Sequence, residues 1–321
     1  MRSKWSFREL FSPKILSVEV KNRNQRKSHS LVFCQCKVRA TIFKVSLIKG
    51  GEMKILILSG HVGHLEDYLV KVKENHKRFS SLHGYDYLFV DDFDFNDEYV
   101  DDSPAITFTW LKAAKTLELM KSRKYDYIFG IDSDSIFWKL DKNLDDLISL
   151  NKDFVFTGDS WDLFNGGHFL VRSSSWSIEF FENWLSMRSV RDELLNTSHK
   201  GKTGLIMDQP AMNVLLSSGT SKHFNFAKAF NEVNGYIRNE NRRHKWFHLT
   251  HAPTSRLRLV NSRRLVHPTL RNNVGIVIQE RLNAYPFNLP GKKANPRKSD
   301  ILHFPGESKY LLKSYSDMVE R

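Results

Sequence analysis

An α/β fold, a sheet of buried strands flanked by helices, is what this chain predicts, on three observations. A short apolar run, Lys54-Ile55-Leu56-Ile57-Leu58-Ser59, is bounded by Gly60 and reads as a strand buried on both faces. Apolar residues then recur at helical spacing at Leu65, Tyr68, Leu69, Val72 and Phe79. A second run, Tyr85 to Val90, follows, so strand, helix and strand succeed one another as in a crossover unit, which implies a parallel sheet.

The remaining elements extend that pattern. Pro104 suits the first turn of a helix, where its missing N–H is not needed, and the helix is predicted to run to about Lys121. Tyr125 to Ile131 is a third apolar strand that leads directly into Asp132-Ser133-Asp134, placing two carboxylates at a strand's C-terminal end, where open α/β sheets bind ligands. Further strands are expected at Phe154–Thr157 and Gly167–Val171, and helices at Ser173–Met187 and Asp208–Leu216. Residues 222–300 are mixed and give no clear period, and pattern returns from Ser299 to Tyr315 around His303-Phe304-Pro305-Gly306.

Residues 53–321 are read as one domain, preceded by a poorly ordered basic leader over 1–52. That leader holds 12 Lys/Arg against 3 Asp/Glu, while the remaining 269 residues carry 37 against 33, so most of the formal charge of +13 lies outside the predicted fold. A basic module that binds nucleic acid or a membrane needs its charge in the folded body, and no nucleic-acid partner is expected. Two readings of the leader stay open. Lys49-Gly50-Gly51-Glu52 can be encoded by a purine-rich ribosome-binding stretch just before a start codon, so that the chain starts at Met53; or the leader is a basic tail that touches a membrane or nucleic acid.

Both cysteines, Cys34 and Cys36, also lie there, which leaves the body without a thiol and suits a reducing cytosol. No apolar stretch approaches the roughly 18 to 20 residues of a membrane span. A cytoplasmic protein is expected; Arg256, Arg258, Arg263 and Arg264 among the aromatic residues of the segment 244–264 suit an anionic acceptor or peripheral contact on a membrane's inner face, and a solvated basic loop explains that segment equally well.

Four groups of residues carry candidate chemistry. Asp132 and Asp134, one residue apart where a strand frays, can converge on a divalent cation, with Asp132 on metal or ribose; acidic residues that cap the next helix give the same pattern. Asn165-Gly166-Gly167, with Trp176-Ser177 and Trp184 downstream, offers an amide for sugar hydroxyls and backbone open to close approach, or an ordinary turn with core tryptophans. Asp208-Gln209 opens a helix and can face the anomeric carbon of a sugar or simply cap that helix. His303-Phe304-Pro305-Gly306 with Lys309 supplies an imidazole for a metal and a compact cation for a diphosphate. A rival for Asp132 and Asp134 is a phosphatase of the haloacid-dehalogenase type. Here a full β-α-β-α precedes the two aspartates and no small hydroxyl residue stands two positions after the second, where that type has one, although Thr157 after a later strand keeps the rival open.

With these residues together the chain resembles the family-34 glycosyltransferases, which include fungal Golgi galactosyl- and mannosyltransferases and plant xyloglucan xylosyltransferases. The resemblance runs from about Lys54 to Lys309. It rests on Trp110-Leu111-Lys112, on the run from Ile131 to Phe137, on Asn165 through Trp184, on Asp208-Gln209 and on His303 through Gly306. It implies a GT-A fold with a mixed central sheet, Mn²⁺ or another divalent cation, a UDP- or GDP-sugar donor, a glycan or glycolipid acceptor, and retention at the anomeric carbon. By the family pattern Asp132, Asp134 and His303 are metal ligands, and Asp208 and Gln209 are the catalytic pair beside the donor sugar. Lys112, Asp132, Asn165, Gly166, Gly167, Gly306 and Lys309 bind donor. One departure is plain: Glu307 and Ser308 separate Gly306 from Lys309, a spacing closer to the glycogenin-like family 8.

Overall fold

The structure, a computed structural model, describes residues 53–62, 67–91, 104–158, 164–195, 208–219, 266–285 and 299–319. The leader, Leu65 and the arginine-rich segment 244–264 lie outside the described residues.

The first strand, β1 (Ile55–Gly60), is buried at every position. Its alternate side chains enter opposite cores, Leu56 and Leu58 on one face and Ile55 and Ile57 on the other, which is why an unbroken apolar run was needed. Helix α1 (Tyr68–His83) returns the chain to β2 (Asp86–Val90), and α2 (Pro104–Ser122) returns it to β3 (Tyr127–Gly130). Both β2 and β3 pair with β1 in parallel. After β4 (Ser135–Phe137) and a short α3 (Asp145–Ile148) come β5 (Phe154–Gly158) and β6 (Phe164–Arg172). Helices α4 (Ser175–Leu195) and α5 (Asp208–Ser218) follow, then β7 (Val274–Val277), α6 (Gln279–Leu282), β8 (Ile301–His303) and α7 (Leu312–Val319).

The main sheet has the order β2-β1-β3-β6-β5-β7. It is mixed: β6 runs antiparallel to both β3 and β5, while β7 runs parallel to β5. The parallel pairing implied by the opening crossover unit therefore holds within β2-β1-β3 and returns between β5 and β7, with β6 antiparallel between the two groups. The helical face of α2, α4 and α5 supplies Trp110, Phe180, Phe181, Trp184 and Met212 to one core; Phe79 of α1 and Leu147 of α3 enter the other. No helix among the described residues is long and apolar enough to cross a membrane.

Three strands, β4, β7 and β8, escaped the sequence reading. β4 and β8 form a separate antiparallel pair of three residues each, with Ser135 opposite His303 and Phe137 opposite Ile301. An ion cluster at its base ties the two approaches together: Asp300 meets Arg281 at 2.9 Å, and Lys139 and Lys142 at 3.4 Å each. Helix α1 clamps β4 from the other side. Asn75 Nδ2 donates to Phe137 O and Asn75 Oδ1 accepts from Phe137 N–H, and the Phe79 and Phe137 rings stack at 3.6 Å.

His76 completes that clamp, its Nε2–H donating to Ser135 O at 2.9 Å. Burial lowers the His76 imidazole to about 4, the backbone bond to Ser135 offsetting only part of the effect. The unfolded chain takes up a proton below about 6.5 and the native one only near 4, so between these values the unfolded state binds more protons and stability falls as pH falls. The expected loss across that window is ~3 kcal/mol, read as a lower denaturant midpoint at pH 4.5 than at pH 7. His76→Gln, which keeps an N–H for Ser135 O, should flatten that dependence; an unchanged slope in this variant would remove His76 as its source.

Candidate functional site

The C-terminal ends of β1 and β3 lie side by side, with Ile131 N–H donating to Leu58 O at 3.0 Å, and the chain then crosses to β4 through Asp132, Ser133 and Asp134. His61, just past β1, lies 3.4 Å from Ser133 Oγ through its Nδ1. Asp132 Oδ1 takes the ammonium of Lys112, at 2.5 Å, and that ammonium also donates to Gly167 O at 3.0 Å. The Lys112 side chain is only 4% exposed, so its charge needs the carboxylate to be buried at all. Burial pushes the Asp132 carboxyl up, but Lys112, then His168 and His303, together outweigh it and hold Asp132 well below the usual carboxylate range. Asp132 is therefore an anion throughout the working range of pH.

The glycine block lies on β6, where the pairing with β5 slips. Phe156 pairs with Phe169 and Thr157 with Asn165, so Gly166, Gly167 and His168 fall in the bulge between them. Asn165 Oδ1 accepts from the N–H groups of Gly167 and His168, at 2.9 and 3.2 Å, and so holds the bulge in shape. Gly166 N–H donates to Gln209 Oε1 at 2.9 Å, which joins the bulge to the start of α5. A methyl group at Gly167 would overlap Asp132 Oδ2; one at Gly166 would reach Gln209 Cβ and Asp208 Oδ2 at 3.5 and 3.6 Å. The two glycines thus form a floor with Asp132 above one and Asp208-Gln209 beside the other. Trp184 is fully buried, as a core tryptophan, and its Nε1–H donates to Asp208 O at 2.9 Å, fixing the first residue of α5.

The third approach is from the C-terminal side. β8 delivers His303, whose Nε2 lies 3.1 Å from Asp134 Oδ1 and 3.8 Å from Asp132 Oδ2. On its other side His303 Nδ1 donates to Asn283 Oδ1 at 2.6 Å, an orientation supported by Asn283 Nδ2, which faces Tyr285 Oη. With the Nδ1 proton committed to Asn283, the Nε2 that faces two carboxylates needs either a second proton or a cation between them, the arrangement of a metal-binding imidazole with its outer partner. Gly306 begins a 3-10 turn, Gly306–Leu311, and three residues per turn bring Lys309 back over Gly306. Lys309 Nζ stands 3.9 Å from Asp134 Oδ2, so the added Glu307 and Ser308 are absorbed by that turn.

Asp132, Asp134, His303 and Lys309 are thus brought together from positions far apart in the chain, with Lys112, Asn165, Gly166, Gly167, Asp208 and Gln209 on the adjoining floor. Their oxygen and imidazole donors have the chemistry of a divalent-cation site, with carboxylate and imidazole within ligand-to-ligand distances. Lys112 and Asn165 are engaged with the protein itself, a use the sequence did not suggest. Thr157, on which the phosphatase reading rested, is buried and donates to backbone oxygens of Gly158 and Val277. Two residues were missed. Asn283 stands in a stretch without period, and His168 lies inside the quoted glycine run, its contacts set by the bulge. His168 Nε2 lies 2.8 Å from Ser135 Oγ, and burial, then His303, lowers its imidazole well below the usual value.

Residues 67–252, more than half of the chain, match the family model described as nucleotide-diphospho-sugar transferase. The chain is similar to a rice protein (Oryza sativa subsp. indica), "Probable glycosyltransferase 2", at 28% identity over 216 residues, 60% of this chain and 42% of that one. It is 27% identical over 198 residues to xyloglucan 6-xylosyltransferase 4 of Arabidopsis thaliana, 54% of this chain and 37% of the other. Galactomannan galactosyltransferase 1 of Cyamopsis tetragonoloba is 24% identical over 177 residues, 52% of this chain and 38% of that one. The chain therefore spans about two fifths of the length of the curated relatives it matches. Among solved structures, a glycosyltransferase involved in the glycosylation of the major capsid of PBCV-1 aligns over 84% of this chain and 100% of its own, at 14% identity and a TM-score of 0.46. The relatives are of the kinds that the family-34 resemblance implies, and the central sheet is mixed, with six strands, as that resemblance expects. The chain belongs to the nucleotide-diphospho-sugar transferase family.

Proposed function

We propose that this chain is a metal-dependent glycosyltransferase that moves a hexose or pentose from a UDP- or GDP-sugar to a hydroxyl of a glycan or glycolipid, with retention at the anomeric carbon. The observation that carries the reading is the meeting of Asp134 and Asp132 with His303, at 3.1 and 3.8 Å, with the ammonium of Lys309 beside them, at the C-terminal edge of β1 and β3. A divalent cation, Mn²⁺ in the family pattern, would be held by Asp132, Asp134 and His303 and supplies positive charge where a diphosphate departs. Lys309 adds a second charge for the same group. Asp208 and Gln209, across the glycine floor, are placed to steady the cationic sugar left behind while the acceptor hydroxyl approaches. Retention and the glycan or glycolipid acceptor rest on the family-34 resemblance; a cytoplasmic setting rests on the thiol-free composition of residues 53–321.

Thermal unfolding of the chain with a panel of UDP- and GDP-sugars, in Mn²⁺ and in EDTA, tests this function. A donor at a hundred times its Kd stabilises by ~2.7 kcal/mol, or about 5 °C for a chain of this size. The expected result is a shift of that order for at least one nucleotide-sugar in Mn²⁺ and none in EDTA. Equal shifts in both would remove the metal from donor binding, and no shift with any nucleotide-sugar would remove the donor.

A further inference from the structure

We propose that His168 is a direct ligand of the bound cation, so that two imidazoles and two carboxylates surround it and the site selects a first-row transition ion over Mg²⁺. The proposal rests on the metal-dependent reading above and extends it to a residue outside the set Asp132, Asp134 and His303.

Three observations lead to it. Among the described residues, one ligand atom each from Asp132, His168 and His303 lie within 4.8 Å of one another. Ligands on opposite sides of an ion with bonds of about 2.1–2.2 Å stand roughly 4.3 Å apart, so a single ion reaches all three after shifts of a few tenths of an ångström. The His168 ring is wholly buried, and its Nδ1 has no hydrogen-bond partner among the described residues. An imidazole nitrogen left in that state costs about 1–3 kcal/mol, which coordination would remove. The other nitrogen, Nε2, is held at 2.8 Å by Ser135 Oγ, the outer hydrogen bond that metal-binding histidines usually make.

The fold explains how two histidines arrive at one point. Ser135 follows Asp134 directly and pairs with His303 in the ribbon of β4 and β8. His168 reaches the same serine from the β6 bulge, so the two rings meet edge to face with centroids 5.0 Å apart. Lys112 does not compete for the whole of Asp132: it takes Oδ1, while Oδ2 faces His303. Imidazole nitrogen suits the later first-row ions best, Zn²⁺ among them, and Mn²⁺, at the weak end of that series, still accepts it more readily than Mg²⁺, which keeps to oxygen ligands.

Mn²⁺ itself is the probe. Titrated into the full chain and followed by loss of the free-ion paramagnetic resonance signal, it gives a Kd; pulsed measurement of the bound ion counts nitrogen couplings. Two coupled imidazoles are expected in the wild-type protein and one in His168→Gln, whose amide still reaches Ser135. The variant should bind Mn²⁺ at least about tenfold more weakly, while Mg²⁺ affinity, measured by competition, changes far less. The wild-type nitrogen count needs no variant to fold. A single coupled imidazole in the wild-type protein, with an unchanged Kd in His168→Gln, overturns the proposal and leaves the metal-dependent reading standing. Failure of the wild-type protein to bind Mn²⁺ overturns both.

Discussion

Gly167→Ala is expected to lower donor turnover by about a hundredfold or more while the protein stays folded, because a misplacement of about 1 Å at a reacting centre costs this much. The added methyl would overlap Asp132 Oδ2, approach Asp132 Cγ to 2.9 Å and stand 3.1 Å from Asn165 Oδ1. Asn165 holds the bulge through two amides, so the carboxylate is the group left to move, and it would swing away from Lys112 and His303. The cost in stability is confined to the Lys112 pair. Gly166→Ala is the matched comparison, since its methyl meets Gln209 and Asp208 at ordinary contact distances and leaves Asp132 where it is. Mn²⁺ affinity measured in both variants separates the two effects. Equal Mn²⁺ binding by Gly167→Ala and wild type would show that Asp132 tolerates the methyl and keeps its place.

Asp134→Ala should be at least as damaging to turnover, through a different loss. Asp134 Oδ1 is the closer carboxylate oxygen to His303 Nε2, and Asp134 Oδ2 is the atom that Lys309, on the 3-10 turn after β8, approaches. The alanine variant deprives the imidazole of its nearer carboxylate and the ammonium of its counter-charge, while its main chain is still held by the bond from Phe304 N–H to Asp134 O. Mn²⁺-dependent donor hydrolysis is expected to fall by two orders of magnitude or more, a transition-state loss of about 2.7 kcal/mol. Asp134→Asn, which keeps the shape and removes the charge, should fall nearly as far. Donor hydrolysis at the wild-type rate in either variant would refute the site.

Much of the scaffold was legible because it is local. β1, β2 and β3 are apolar runs, and α1 and α2 carry their own period, so each element announces itself within a short window of chain. The strands β4, β7 and β8 are three or four residues long, and the strands they pair with lie more than a hundred residues away, which no local period can signal. The site divides in the same way. Asp132 and Asp134 could be read because the strand before them points them at the sheet's edge, and Asp208-Gln209 because a helix begins there. Asn283 could not, since its role arises from the bridge that sets Ala284 against Leu302 and so brings it beneath His303. The pairing of Lys112 with Asp132 needed the register of α2 against β3 and β6, which spacing alone does not supply.

The separate ribbon of β4 and β8 bears on how the molecule assembles during synthesis. β4 leaves the ribosome well over a hundred residues before the segment that pairs with it. Loop closure over that span is among the slowest contacts a chain of this size makes, and a lone strand meanwhile presents two raw edges to anything that can add to it. Helix α1 is near enough in the chain to dock early, and Asn75 and His76 then satisfy Ser135 and Phe137 along one of those edges. The nascent chain thus exposes a single edge, the one whose Asp134 and Trp138 backbone groups the last residues finally cover through Phe304 and Asp300.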